Sequence, residues 1–231
     1  MKGWLTLILL SFLVISLRGQ LSSSALGGAQ LNTIHTSVPF LTIAPDARAS
    51  GMGDVGAASQ ADVNSQHWNV AKYAFAEGTG ALSFTYTPWL KSLIPDIVLG
   101  YASGYYKIDS KNILSSSIRY FSLGEIIFTS LTGTVTGSYR PFEFAVDAGY
   151  TRRFSDNFSG GMVLRYIHSD LTSGQLTPGG DETHPGTSMA ADLGFYYQDQ
   201  VMNGEKGKIW ALGVSLSNMG PGISYTADAE N

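Results

Sequence analysis

The chain has 231 residues and a net charge of −4, with 44% hydrophobic and 14% charged residues. This composition is too apolar for a disordered chain, and no cluster of Lys and Arg offers a nucleic-acid surface. The absence of cysteine excludes a disulfide scaffold, a CxxC redox site and a thiolate zinc site. With 27 glycines and 12% aromatic residues, the mean hydropathy is only +0.05, so apolar residues are interleaved with small polar ones. Such interleaving is typical of β structure and disfavours a helical membrane protein.

The N-terminus has the organisation of a secretory signal peptide. Lys2 supplies the positive charge, and residues 4–17 form an apolar run of about 14 residues, which is short of the roughly 20 that a membrane-spanning helix needs. Cleavage after Gly19 and cleavage at the small residues 23–25 both fit, so we assign residues 1–25 to the signal peptide. No later apolar run is long enough to span a membrane as a helix, which leaves a soluble, a surface-bound or a β-barrel protein.

Residues 26–80 lack long alternations and are predicted to form a compact, loop-rich hatch, or plug. Residues 51–56 match the G-x-G-x-x-G pattern of dinucleotide sites, and Glu77 lies at the distance of a ribose-binding acid. Pro45 interrupts any preceding strand, however, and a polar stretch follows in place of an amphipathic helix. We therefore expect tight turns in which glycine supplies positive φ.

From residue 81 the pattern changes to runs of about ten residues that alternate with period two between turn residues. One face of each run is apolar, and the other holds Gly, Ala, Ser and a few charges. A transmembrane antiparallel β-barrel explains both faces, because the apolar band meets lipid and the polar face lines the lumen. A secreted β-sandwich is the alternative. The predicted strands span residues 81–89, 96–108, 112–122, 143–153, 159–169, 189–198 and 208–219.

Charged side chains on the predicted lumen face are expected to form ion pairs across the lumen, with a polar substrate path as the alternative. These residues are Arg119, Asp147, Arg153, Arg165 and Asp192. The four histidines show no spacing typical of a metal site, and no nucleophile motif is present. We expect no catalytic residue, no metal and no cofactor.

The connections between strands alternate in length. Those at residues 110–111 and 155–157 are tight, the one at 199–207 is of moderate length, and those at 123–142 and 170–188 are long. Outer-membrane barrels place short turns in the periplasm and long loops outside the cell. The first long link alternates at 127–135 and is predicted to form a projecting hairpin. Single-chain bacterial barrels close with an even number of strands, so a count of seven means either that one strand has escaped the pattern or that residues 81–231 are the first half of a longer barrel, and we favour the longer barrel.

Two N-terminal blocks, residues 38–54 and 62–75, resemble the PorV (LptO) family of the type IX secretion system of Bacteroidota. Further matches lie at 118–124, 164–171 and 215–220. This chain has Asn69-Val70-Ala71 where the family usually has Asn-Pro-Ala, which puts the local turn geometry in question because Val retains a backbone donor. The hatch residues carrying the resemblance are Pro45, Asp46, Arg48, Gly51, Gly53, Asp54, Asn64, His67, Trp68 and Asn69.

The resemblance implies a 14-stranded barrel of FadL-like type in the bacterial outer membrane, of which this chain supplies the hatch and about seven strands. It also implies a non-enzymatic protein surrounded by outer-membrane lipid. Such a protein takes secreted cargo with C-terminal β-domains from the SprA-type translocon to the PorU-type attachment complex. Some members have been linked to lipopolysaccharide deacylation, but no catalytic constellation supports that activity here.

Loops outside the cell are where we expect cargo to bind, because loops on a rigid barrel carry recognition. They are the hairpin at 125–140 and the loop at 171–187. The candidate contacts in the loop are Leu171, Thr172, Gly174, Gln175, Leu176, Pro178, Asp181 and His184. A FadL-type channel for hydrophobic small molecules is the competing hypothesis and predicts an apolar pocket beneath the hatch. A third hypothesis is a purely structural barrel, which would have no ligand and no partner.

Overall fold

The computed structural model describes residues 38–89, 91, 96–130, 132–171, 174, 182–203 and 206–225. The expected signal peptide lies outside these residues. All of the described residues belong to one compact unit, Thr36–Asn231. Within the described ranges, no helix has both the length and the apolarity to cross a membrane.

The described residues form nine β-strands: β1 (Gly80–Pro88), β2 (Ile97–Lys107), β3 (Asn112–Leu123), β4 (Ile126–Thr129), β5 (Val135–Tyr139), β6 (Phe142–Arg153), β7 (Phe158–Asp170), β8 (Gly186–Asn203) and β9 (Lys206–Met219). Seven of these strands form the main antiparallel sheet, in the order β1-β2-β3-β6-β7-β8-β9, and β4 pairs with β5 in a separate hairpin. The main sheet curls into a half-barrel, which confirms the predicted all-β fold.

Period-two alternation determines which side chains face inward. In β6, Val146 and Tyr150 are exposed on the outer face, whereas Asp147 and Thr151 are buried on the inner face. The same alternation holds along β3 and β7. Successive side chains of a strand point to opposite faces, so this burial pattern confirms both the predicted apolar outer face and the predicted polar inner face.

Strand ends agree closely with the prediction except at β8. The prediction of a connection of moderate length over residues 199–207 is wrong, because β8 continues to Asn203 and β9 already begins at Lys206. The ladder runs without a break from the Tyr197–Leu212 pair to the Asn203–Lys206 pair. Backbone pairing with β9 therefore extends β8 beyond residue 198, where the strand pattern in its sequence ends.

The described part of the hatch, residues 38–79, contains short helical turns where the sequence suggested irregular structure. Two 3₁₀ helices (Pro39–Thr42 and Val70–Phe75) flank two α-helices, α1 (Ala47–Gly51) and α2 (Ser65–Trp68). The turn after α1 has positive φ at Gly53 (82°) and Asp54 (58°). This confirms the tight turn predicted for the G-x-G-x-x-G segment.

The apolar core lies between the hatch and the inner face of the sheet, in two clusters. Near the strand ends joined by the long loops, Val38, Phe40 and Leu41 pack on Ala145, Ile167 and Ala190. Towards the short turns, a second cluster contains Val70, Tyr73, Ala74, Ala76, Tyr105, Ile113 and Val163. The hatch therefore contacts the inner face from one end of the sheet to the other.

Candidate functional site

An ionic cluster on the inner face joins three neighbouring strands. Arg165 of β7 lies between Asp147 of β6 and Asp192 of β8, with Nε–Oδ1 and Nη2–Oδ2 distances of 2.7 and 3.0 Å. Arg165 also donates to the Asn218 side chain, and Ser117 donates to Asp147 at 2.8 Å. All three charged side chains are at most 7% exposed. The prediction of ion pairs across the lumen is wrong: Arg165 pairs with Asp147 and Asp192 between adjacent strands, whereas Arg153 pairs with Asp156 in the short turn that follows β6.

Arg119 holds two separate parts of the hatch. Its Nη1 donates to the Leu41 carbonyl at 2.7 Å and to the Phe40 carbonyl at 3.2 Å. Its Nη2 lies 2.7 Å from His67 Nδ1, which must act as the acceptor because a guanidinium can only donate. The guanidinium also lies 5.3 Å from the centre of the Tyr101 ring. Arg119 is thus a hatch-binding residue and not a member of the carboxylate cluster.

The pKa of His67 is well below its usual value. Burial is the main cause, and the positive charges of Arg119 and Arg165 lower it further. His67 is therefore neutral at pH 7, which is the form that accepts from Arg119.

Acidification is expected to weaken the binding of the hatch to the sheet. A displaced His67 regains a pKa near 6.5, so the displaced state takes up protons that the bound state does not. The stabilisation is complete above about pH 6.5 and decreases as the pH falls below that value. Hydrogen exchange of residues 38–43 and 65–68, corrected for intrinsic rates, should show less protection at pH 5 than at pH 7.5. His67→Asn should remove this difference and His168→Asn should keep it; equal protection of the wild type at both pH values would contradict the assignment.

Asn69 connects the hatch to the far strands of the sheet. Its Nδ2 donates to the carbonyls of Ala57 and Phe195, both at 3.0 Å, and its Oδ1 accepts from the Ala71 N–H at 3.1 Å. Gly194 on β8 leaves room for this side chain, because a Cβ there would collide with Asn69 Oδ1. Val70 begins the second 3₁₀ helix and packs in the core.

Lys72 is a fully buried cation that the sequence analysis missed. Its Nζ donates to the Gly56 carbonyl at 2.8 Å and to Ser59 Oγ at 3.0 Å, which closes the loop that follows α1. Burial lowers its pKa to about 8, while the nearby Asp62 partly opposes the shift. The sequence contains a signal for this buried position, because Lys72 is the one charged residue in the otherwise apolar run at 70–75.

The other hatch residues singled out in the sequence divide into buried contacts and surface turns. Asp46 accepts from the Ala49 N–H and from Trp68 Nε1, at 2.8 and 2.9 Å, and Asn64 accepts from Ser103 of β2 at 3.0 Å. Pro45 is buried, and Arg48 forms an exposed ion pair with Asp62. Gly51 at the end of α1 and Gly53 and Asp54 in the turn that follows are all exposed.

The long connections lie together at one end of the sheet, which we call the loop-bearing end; the other is the short-turn end. The hairpin β4–β5 is held there by a hydrogen bond from Tyr139 Oη to the Asp170 carbonyl at 3.0 Å. Three of its apolar side chains are at least 44% exposed: Ile126, Ile127 and Val135. The hairpin predicted within 123–142 is confirmed.

The predicted cargo loop is described only in part. Thr172, Gln175, Leu176, Pro178 and Asp181 lie outside the described residues. Leu171 and Gly174 follow β7, and Gly174 donates to the Thr183 carbonyl at 3.0 Å. His184 donates its backbone N–H to the Tyr225 carbonyl at 2.9 Å, so the segment after β9 contacts the base of this loop. Beside this contact, the hydroxyl groups of Ser169 and Tyr225 form a hydrogen bond of 2.8 Å.

No group of three or more His, Asp or Glu side chains in the described ranges is arranged to hold a metal ion. A search of curated proteins finds no significant match to the chain. A family model described as "Type IX secretion system protein PorV" matches residues 27–231. This range includes all but the first residue of the hatch, the whole main sheet and the loop-bearing end. The chain therefore belongs to the PorV family of type IX secretion system proteins.

Proposed function

We propose that this protein lies in the bacterial outer membrane and binds secreted cargo that carries C-terminal β-domains. It receives the cargo at the SprA-type translocon of the type IX system and delivers it to the PorU-type attachment complex at the cell surface. In this role it binds and carries proteins and performs no catalysis. Its short turns face the periplasm and its loop-bearing end faces outward.

The observation that carries this proposal is the contrast between the filled inner face and the exposed hairpin. Hatch side chains or carbonyls accept hydrogen bonds from Ser103, Arg119 and Thr151 of the sheet. A FadL-type channel would need an apolar passage there, and the paired polar groups disfavour it. At the loop-bearing end, Ile127 and Val135 are 59% and 63% exposed, and exposed apolar side chains beside polar ones mark protein-binding surfaces.

The hairpin is expected to supply part of the binding energy for cargo. Replacing both Ile127 and Val135 by serine should lower the cargo recovered with the full-length protein about thirtyfold, because apolar anchors that become buried on binding contribute about 1 kcal/mol each. The measurement is co-purification of cargo from detergent-solubilised outer membranes. Ile108→Ser is the matched control, since Ile108 is 56% exposed at the short-turn end.

Unchanged cargo recovery with the double variant would contradict a binding role for the hairpin. Deletion of residues 174–185 tests the neighbouring loop in the same way. If both variants assemble in the membrane and capture cargo as the wild type does, the loop-bearing end is not the cargo surface.

A further inference from the structure

A groove of about 900 Å³ lies on the outer face of the sheet. Its floor is a row of small residues in direct register on three adjacent strands, Gly104, Ser116 and Ala148, and the Leu82 side chain of β1 leans over the Gly104 end of this row. None of the described hatch residues, 38–79, lines it, so it is separate from their contacts on the inner face. Grooves of this size accommodate ligands of lipid or drug size.

The walls of the groove are large and apolar. Phe84 and Ile118 border it towards the loop-bearing end, and Tyr106 and Leu114 border it towards the short-turn end. The hydroxyl of Ser116 in the floor already donates to the Asp147 carbonyl at 2.8 Å. Because its floor hydroxyl is satisfied within the sheet, the groove favours hydrocarbon over a polar ligand.

A cation lies on the same outer face beyond one wall. Arg152 is four residues after Ala148 on β6, hence on the same side of the strand and about 13 Å along it. It is exposed, and Lys111 lies in the adjacent turn. A guanidinium presents paired donors that match a phosphate group. The distance suits a lipid whose chain lies in the groove and whose phosphate lies at the membrane surface.

We propose that this outer face binds a phospholipid, with an acyl chain in the groove over Gly104, Ser116 and Ala148 and the phosphate on Arg152. The inference rests on the membrane location proposed above. The rest of the outer face supports the choice of ligand, because it carries exposed apolar residues such as Leu164 and Leu212 that would lie in the same bilayer. The lipid belongs to the leaflet at the short-turn end.

The test uses the full-length protein reconstituted in nanodiscs that contain both phosphatidylglycerol and diacylglycerol, and released for native mass spectrometry. Ala148→Phe fills the groove, and Ala191→Phe is the matched control on the outer face of β8. We expect the wild type and Ala191→Phe to retain a lipid, and Ala148→Phe to retain at least fivefold less. Arg152→Gln should lower retention of phosphatidylglycerol but leave retention of diacylglycerol, which lacks the phosphate, unchanged.

Equal lipid retention by Ala148→Phe and the wild type would overturn the site, and equal retention of phosphatidylglycerol by Arg152→Gln would overturn the phosphate contact. Failure of the wild type to enter the bilayer would overturn the proposed membrane location and this site with it. Cargo capture by the same variants is measured separately and should be unchanged, because the groove lies away from the hairpin.

Discussion

Replacement of Arg165 by methionine is expected to destabilise the folded chain by about 3–5 kcal/mol, the usual result of removing one partner from a buried ion pair. The substitution removes the cation that lies between Asp147 and Asp192, and the side chains of both are at most 7% exposed. The measurement is the temperature of thermal unfolding in detergent, together with the mobility of unheated samples on gels. Arg140→Met is the control, since Arg140 is 73% exposed in its pair with Glu125 and should change stability by less than about 1 kcal/mol.

A second variant separates charge from packing at this cluster. Combining Arg165→Met with Asp147→Asn and Asp192→Asn removes the unpaired charges and should recover part of the lost stability. If Arg165→Met unfolds at the temperature of the wild type, the ionic cluster does not brace the sheet. If the triple variant is no more stable than Arg165→Met, the loss comes from packing and not from unpaired charge.

Replacement of Gly213 by alanine is expected to displace the hatch from β9. The new Cβ would lie 2.6 Å from the Ala57 carbonyl carbon and 3.0 Å from the Ala58 nitrogen. Both are backbone atoms, so no side-chain rotation relieves the clash and the loop at 56–59 must move. Overpacking of this kind costs about 1–3 kcal/mol. Protease cleavage and hydrogen exchange within residues 56–69 should both increase.

Gly100→Ala is the matched control for this substitution. Gly100 lies on the outer face of β2, where a Cβ would be 3.9 Å from the nearest atom, the Tyr120 carbonyl oxygen. We expect the hatch of Gly100→Ala to be protected from protease cleavage and hydrogen exchange as in the wild type. Equal protection in Gly213→Ala would contradict the close approach of Ala57 to the sheet.

The sheet could be predicted because its signal is local. Alternation along β6 assigns Asp147 and Thr151 to one face and Val146 and Tyr150 to the other without knowledge of any neighbour. The end of β8 could not be predicted in this way. It depends on the length of the ladder with β9, which is a property of the pair and not of either segment.

The hatch contacts could be predicted only in part, because they join residues far apart in the chain. The sequence singled out His67 and Asn69, yet their partners Arg119 and Phe195 lie 52 and 126 residues away. Gly213 looked like an ordinary member of an alternating strand. Its small size matters only because Ala57 approaches it, and that approach follows from how the hatch folds onto the sheet.

Affinity purification of the full-length protein from detergent-solubilised outer membranes, followed by mass spectrometry, tests the cargo-carrying role most directly. We predict recovery of secreted proteins that share a C-terminal β-domain, together with a very large outer-membrane translocon protein. Recovery of the protein without any secreted protein or translocon, under conditions that keep it folded, would contradict the role proposed here.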